Sequence, residues 1–220
     1  MTFFETIGKI IERYSSFFAQ GVVNTLIIAA FSVLLGTILG TLMATMRMGK
    51  ILPLKWLAVA YIEFIRGTPL MVQLMFIFYG LPMIGVKIPD ISWIPNFSRF
   101  AAGIVAMSMN SCAYVAEVIR SGIQSVDAGQ SEAAMSLGMN SFQRTWYILV
   151  PQALKTILPA LGNEFIMIVK DTSLASTFFI GDLMTQYLIV RGASYLPLEP
   201  LVIVGVILSL IHISEPTRPY

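Results

Sequence analysis

The sequence predicts an all-α polytopic membrane protein with about five transmembrane helices. Three observations carry that expectation. Of 220 residues, 56% are hydrophobic and only 12% are charged, about half the ~25% typical of soluble domains. Mean hydropathy is +0.78. The charges that remain gather in short segments between long charge-free runs, and those runs approach the ~20 residues that a helix needs to cross the hydrocarbon core. Too few ionic groups are present to coat a soluble globule of this length. The chain is also too apolar to stay disordered.

The first element is residues 1–13. Phe3, Ile7, Ile10 and Ile11 recur at helical spacing among Glu5, Lys9, Glu12 and Arg13, which predicts an amphipathic interfacial helix. The transmembrane domain then runs over 14–213. Tyr14 to Met46 carries no charge. The run is far longer than the ~7–15-residue core of a signal peptide, so it is a retained span, placed at 20–46. Gly36 and Gly40 form a GxxxG match within it, a spacing that lets helices approach closely.

Arg47, Lys50 and Lys55 follow without an intervening acid. By the positive-inside rule they place residues 47–55 in the cytoplasm and the N-terminus outside. Residues 54–66 predict a short helix at the membrane surface. Arg66, Gly67, Thr68 and Pro69 break it, with Thr68 expected to cap the next helix and Pro69 to take its first position. The snorkelling and capping of these residues explain them without a further role. Pro69–Met83 is the second span. Residues 84–98, with Lys87, Pro89, Asp90 and Pro95, read as an outside loop. Phe100–Ala116 is the third span, reaching the cytoplasm at Glu117 and Arg120.

Residues 117–155 form the longest polar interruption, a cytoplasmic loop. The fourth span covers about 156–180, Gly181–Pro197 reads as an outside connection, and Pro200–Ile213 is the last apolar run. Inside segments hold Arg47, Lys50, Lys55, Arg66, Arg120, Arg144 and Lys155; outside ones hold Lys87, Arg99 and Arg191. The asymmetry puts the C-terminus inside. The last run measures only ~21 Å at helical rise, against a core of ~30 Å. It reads as a truncated helix followed by an atypical polar tail, 214–220, of chimeric character. The other reading starts a tilted helix earlier, at Pro197 or Pro200.

The single Cys112 and single His212 remove disulfides, most zinc sites and Cys–His or Ser–His catalysis. No metal site and no enzyme activity are expected. Net charge is +2 and no basic block is interleaved with aromatics, which argues against nucleic acid. Cys112 suits packing, and Asn110 and Ser111 suit either bonds across helices or a cavity wall. Arg120 and Asp127 read as a solvated face.

Within the long loop, Ser131 to Leu137 predicts a short helix ended by a left-handed Gly138. Ser141 is expected to cap a second helix through Phe142, Trp146, Ile148 and Leu149, which Pro151 would kink or end. Phe142 and Trp146 share a face. That face either packs on the protein's own spans and lipid or is offered to a partner.

At this spacing, Glu132-Ala133-Ala134, Gly138 and Ile148-Leu149-Val150-Pro151 resemble the EAA loop of the membrane subunits of binding-protein-dependent ABC importers. Val150 stands where the usual pattern has Leu. Glu63 to Leu70, Lys170 to Ser176 and Gly21 to Leu26 resemble the polar amino-acid subfamily in particular, and the likeness covers about residues 15–210. The resemblance implies a type I ABC importer fold in a bacterial inner membrane. It also implies that the loop is a coupling helix seated on a separate ATPase subunit, with Glu132 as its charged anchor. The further partners it implies are an extracytoplasmic solute-binding protein, a second permease copy or paralogue, membrane lipid and an amino-acid substrate. No G-x-x-x-x-G-K-[ST] loop occurs in the chain, so no cofactor is expected on it, and ATP and Mg belong to the partner ATPase.

Glu164, Lys170 and Asp171 are costly in hydrocarbon and are expected to face a cavity or a partner. With Asn163 they form a polar strip at seven-residue spacing, and with Thr172 and Ser173 they are the candidate substrate path. Two readings fit the strip: a cavity lining that meets a zwitterion, or structural pairing, with Lys170 and Asp171 bonded within the chain or across a subunit interface. The alternative to an ABC importer is an ion-coupled secondary transporter of small polar solutes, although no inverted repeat is visible in the sequence.

Overall fold

The computed structural model describes residues 2–91 and 96–213, and no strand occurs among them. Eight helical elements follow in chain order. They are α1 (Phe3–Met48), α2 (Leu52–Gly67), α3 (Leu70–Met83), α4 (Phe97–Gln124), α5 (Ala128–Ser136), α6 (Ser141–Phe178), α7 (Leu183–Ser194) and α8 (Glu199–Ile213). α1 and α4 are each long and apolar enough to cross a membrane. α2 with α3, and α6 with α7, are bent pairs that pass the same test together, at 108° and 46°. The polar tail 214–220 and Pro95 lie outside the described residues.

Several boundaries differ from the sequence expectation, each for a local reason. The interfacial helix and the first span are one element, with non-helical dihedrals at Tyr14 (φ −120°, ψ 15°) marking a kink. The helix of the third span continues past Ala116: α4 runs to Gln124, its charged turns satisfying one another, Glu117 accepting from Arg120 and Arg120 donating to Gln124. The expected connection Gly181–Pro197 is mostly helix. Asp182 caps α7, accepting from the Met184 and Thr185 amides, while Leu183, Tyr187 and Val190 bury one face. α8 begins at Glu199.

The chain divides into two compact units. The first comprises Met1–Phe31, Leu74–Ala106 and Ile166–Tyr220. Its core gathers Ile10, Phe18, Leu183, Tyr187, Val190, Ile203 and Val204. There α1 meets the start of α7 at Gly21. A Cβ at that glycine would stand 2.8 Å from the Leu183 backbone, so only glycine admits this approach. Asn24 Nδ2 donates to the Gly181 carbonyl at 2.8 Å, and the Leu183 amide donates to Thr25 Oγ1 at 3.0 Å. Two backbone groups at the α6–α7 break are thus satisfied by α1.

The second unit comprises Ser32–Gln73 and Met107–Phe165. Its core gathers Ala44, Ile62, Val115, Ala116, Ile119, Ala153 and Ile157. Gly36 and Gly40 press on α4: an added Cβ would lie 2.6 Å from Ser111 Oγ at the first and 2.9 Å from the Cys112 carbonyl at the second. The GxxxG spacing therefore serves a contact within the chain. Cys112 is buried there.

Candidate functional site

The segment singled out by the sequence is a rigid hairpin in the second unit. α5 starts three residues before the expected Ser131, because Asp127 caps it by accepting from the Gly129 amide at 2.7 Å. Ala134 is buried, whereas Glu132 and Ala133 are exposed. The helix stops at Gly138, whose φ is +77°. The Met139 amide reaches back to the Ala134 carbonyl at 3.1 Å and the Gly138 amide to the Met135 carbonyl at 2.9 Å. This paired closure needs a left-handed residue after the helix.

α6 is capped by Asn140 rather than Ser141. Asn140 Oδ1 accepts from the Gln143 amide at 2.9 Å and Gln143 Oε1 accepts from the Asn140 amide at 3.0 Å, a capping box. Asn serves as well as Ser in that role, and the Gln three residues on decides between them. Pro151 does not end the helix. A π-helical stretch, Arg144–Leu149, precedes it, so the Val150 amide bonds the Thr145 carbonyl five residues back. This register shift comes just before the residue that has no N–H to give. Gln152 Nε2 then donates to the Ile148 carbonyl at 3.0 Å. α6 continues in α-helical form to Ala175 with Pro159 inside it.

Two side chains tie α5 to the start of α6. Arg144 Nη1 lies 3.1 Å from Met135 Sδ, and Gln152 Nε2 lies 3.4 Å from Gln130 Oε1. The sequence marked Arg144 only as an inside-segment cation and gave Gln152 no role. Phe142 and Trp146, with ring centroids 6.2 Å apart, are both more than half exposed, as are Met135 and Leu137. Ile148 is partly buried and Pro151 exposed. The hairpin therefore presents an apolar surface around Glu132.

The Arg66–Pro69 break belongs to the same unit and is built differently from expectation. Thr68 does not cap α3; its hydroxyl donates back to the Phe64 carbonyl of α2 at 2.9 Å. Pro69 lies just ahead of α3, whose first helical residue is Leu70. Gln73 closes the break: its Nε2 donates to the Ile65 carbonyl at 2.7 Å and the Thr68 carbonyl at 3.0 Å, and its Oε1 accepts from Asn110 Nδ2 at 3.0 Å. Asn110 thus makes the bond across helices. Gly67 is helical at the end of α2, and the Arg66 guanidinium stands 5.6 Å over the Tyr114 ring.

Arg120, partly exposed on α4, is paired. Glu117 is engaged by Arg120 and by Arg47, whose Nη1 lies 3.1 Å from Glu117 Oε2, and Arg47 also reaches Glu63 at 3.2 Å. These pairs join α1, α2 and α4.

The candidate path residues are divided by their surroundings. Glu164 and Thr172 are buried, Asn163, Asp171 and Ser173 partly buried, and Lys170 exposed. Thr172 Oγ1 donates to the Val169 carbonyl at 2.8 Å. Lys170 and Asp171 form no ion pair with each other. No group of His, Cys, Asp and Glu that could hold a metal occurs among the described residues.

Comparison with known proteins accords with this geometry. The family described as binding-protein-dependent transport system inner membrane component matches residues 36–214. The arginine transport system permease protein ArtQ of Bacillus subtilis is 38% identical over 192 residues, 87% of this chain and 84% of ArtQ. The nopaline transport system permease protein NocM of Agrobacterium fabrum is 37% identical over 202 residues, 91% of this chain and 83% of NocM. A crystal structure of an amino acid ABC transporter with histidines superposes with a TM-score of 0.87 at 41% identity, covering 97% of this chain and 94% of that one. The match is to transport components rather than enzymes, and it sets aside the ion-coupled secondary transporter. The chain belongs to the inner membrane components of binding-protein-dependent transport systems: it is an all-α permease subunit of an ABC importer.

Proposed function

We propose that this permease passes a polar amino acid across the bacterial inner membrane and takes its drive from a separate ATPase seated on α5. The observation that carries the coupling role is the hairpin itself. An exposed Glu132–Ala133 face ends in a left-handed turn and is tied to α6 by Arg144 and Gln152. A displacement of α5 is delivered to α6 through those ties rather than absorbed in a slack loop. ATP and Mg2+ act on the partner subunit, which closes and draws the hairpin with it. A solute-binding protein delivers the cargo from outside, and a second permease, identical or paralogous, completes the path.

An amino-acid cargo is supported by relatives named for arginine and nopaline transport. Asn163, Glu164, Lys170, Asp171, Thr172 and Ser173 are the candidate path, since such groups are costly in a membrane unless a cavity or partner meets them. The proposed orientation has the N-terminus outside and the hairpin and C-terminus inside. It is supported by the basic residues of the inside segments, Arg47 to Lys155, all falling in the second unit, while Lys87, Arg99 and Arg191 fall in the first.

The test is co-expression with an ATPase and a binding protein, followed by uptake of a labelled amino-acid panel. Glu132→Lys is expected to abolish uptake and the stimulation of ATP hydrolysis by the binding protein, with the permease still inserted. Normal uptake by Glu132→Lys would refute the coupling role.

A further inference from the structure

The first unit holds a cavity of about 550 Å3 that the transport reading does not use. Its size lies within the ~300–1,000 Å3 of small-molecule sites. Two irregular stretches of backbone form its walls. One is the π-helical stretch Phe76–Gly80 of α3, which contributes Phe78 and Tyr79. Such turns recur at functional sites. The other is the end of α6, which contributes Phe178 and Phe179. Phe179 stands in the left-handed region (φ 53°, ψ 51°) and is half exposed. A bulky residue takes that conformation only where its surroundings impose it. Between the walls the Phe78 and Phe178 rings stack at 4.3 Å, and Tyr79 meets Phe178 edge-on at 5.6 Å.

Lys87, Asp90 and Arg99 also line the cavity. Asp90 is already engaged, accepting from the Ser98 amide at 3.0 Å. That bond, then a side-chain bond from Ser98 and the nearby Arg99 charge, holds its carboxyl below the usual range. Lys87 and Arg99 form no ion pair among the described residues. The cavity thus combines an aromatic wall with two cations that form no ion pair among the described residues, Arg99 standing near the Asp90 charge, and one anion held by Ser98.

We propose that this cavity binds an amphipathic anion, its head on Lys87 and Arg99 and its apolar body along the Phe78–Phe178 stack. Two sources supply that chemistry, an anionic phospholipid and a free medium-chain carboxylate. The site lies wholly within the first unit and does not depend on coupling through α5.

The experiment uses the full chain in nanodiscs of zwitterionic phosphatidylcholine. Binding of radiolabelled decanoate is read by scintillation proximity, and retention of added phosphatidylglycerol by native mass spectrometry. Saturable uptake of one or both probes is expected. Lys87→Ala with Arg99→Ala should weaken it by at least about tenfold, the scale of one lost charge-assisted contact. Arg99→Lys should keep most of it, and Phe78→Ala should weaken it without altering the charge. Preference for phosphatidylglycerol would name the lipid as the source, and preference for decanoate the free acid. No saturable binding of either probe, or binding unchanged in the double variant, would overturn the proposal. Both substituted cations are exposed, so the variants are expected to fold, which thermal melting of the same samples checks.

Discussion

Gly138 offers the sharpest handle on coupling, because the structure separates the two ways a glycine can matter. A Cβ built there meets nothing within 4 Å, while φ is +77°. Space is therefore no obstacle within the chain, and the whole penalty is conformational. For an ordinary L-residue the left-handed region costs about 1–2 kcal/mol, and Asn tolerates it. A β-branched residue fares worse. At RT near 0.59 kcal/mol, 1–2 kcal/mol lowers the ratio of closed to open turn by about 5- to 30-fold. The amide bonds of Met139 and Gly138 to α5 depend on that turn. Coupling should then fall in the order Gly, Asn, Ala, Val. The assay is uptake and binding-protein-stimulated ATP hydrolysis in proteoliposomes, normalised to permease content. Equal activity of Gly138→Val and the wild type would refute the reasoning. So would Gly138→Asn as poor as Gly138→Val, since that would make the glycine a place of close approach by a partner rather than a backbone requirement.

Three further outcomes follow from the packing. Gln73→Leu removes the bonds that Gln73 makes to the Ile65 and Thr68 carbonyls and to the Asn110 amide, while the Ile65 carbonyl keeps the Thr68 amide and hydroxyl. At about 1–3 kcal/mol for each buried group left unsatisfied, the melting temperature of the purified chain should drop by several degrees, and no drop would deny Gln73 its role. Gly21→Ala forces a Cβ to 2.8 Å from the Leu183 backbone, whereas Gly162→Ala meets nothing within 4 Å. The first should cost about 1–3 kcal/mol as overpacking and the second should be neutral or stabilising, read by the same melting assay. In a double-mutant cycle the partly exposed Arg47–Glu117 pair should show a coupling of about 0.2–1 kcal/mol that shrinks as salt is raised; a coupling of zero at low salt would remove the pair from the account.

Apolar run lengths alone located α1, α4 and α8, because a charge-free stretch has few alternatives to a membrane helix. α7 escaped that criterion. Asp182, Thr185, Gln186 and Arg191 break up its hydropathy, and all but Arg191 are buried. The signal that could have found it is local: an Asp before Leu183, Tyr187 and Val190 at helical spacing. The hairpin was legible in outline from Gly138 and the apolar positions after it. The start of α5 was placed at Ser131, three residues late, and the cap of α6 was placed at Ser141 because it satisfies the same propensity as Asn140, which only the Gln143 partner distinguishes. The ties through Arg144 and Gln152 and the aromatic cavity were not legible at all. Both depend on π-helical stretches, which shift the register by one residue and so spoil any prediction of facing positions from 3.6-residue periodicity.

The stretches that carry the subfamily likeness acquire a common physical meaning from the breaks beside them. In hydrocarbon a carbonyl that has lost its helical partner costs several kcal/mol, so irregular backbone persists only where protein groups meet it. Each break here has its own supplier. Around Glu63 to Leu70 the supplier is Gln73, which covers Ile65 and Thr68. At the end of α6 it is the Gly21–Leu26 stretch: Gly21 admits the approach, Asn24 takes the Gly181 carbonyl and Thr25 takes the Leu183 amide. These residues are spent on holding bent spans. A substitution such as Asn24→Ala should therefore lower stability and transport of every substrate alike, whereas a change at Asp171 or Lys170, whose side chains make no bond to each other, is the place to look for altered preference. If Asn24→Ala shifted the ratio of uptake between two amino acids while melting as the wild type does, that division between scaffold and path would fail.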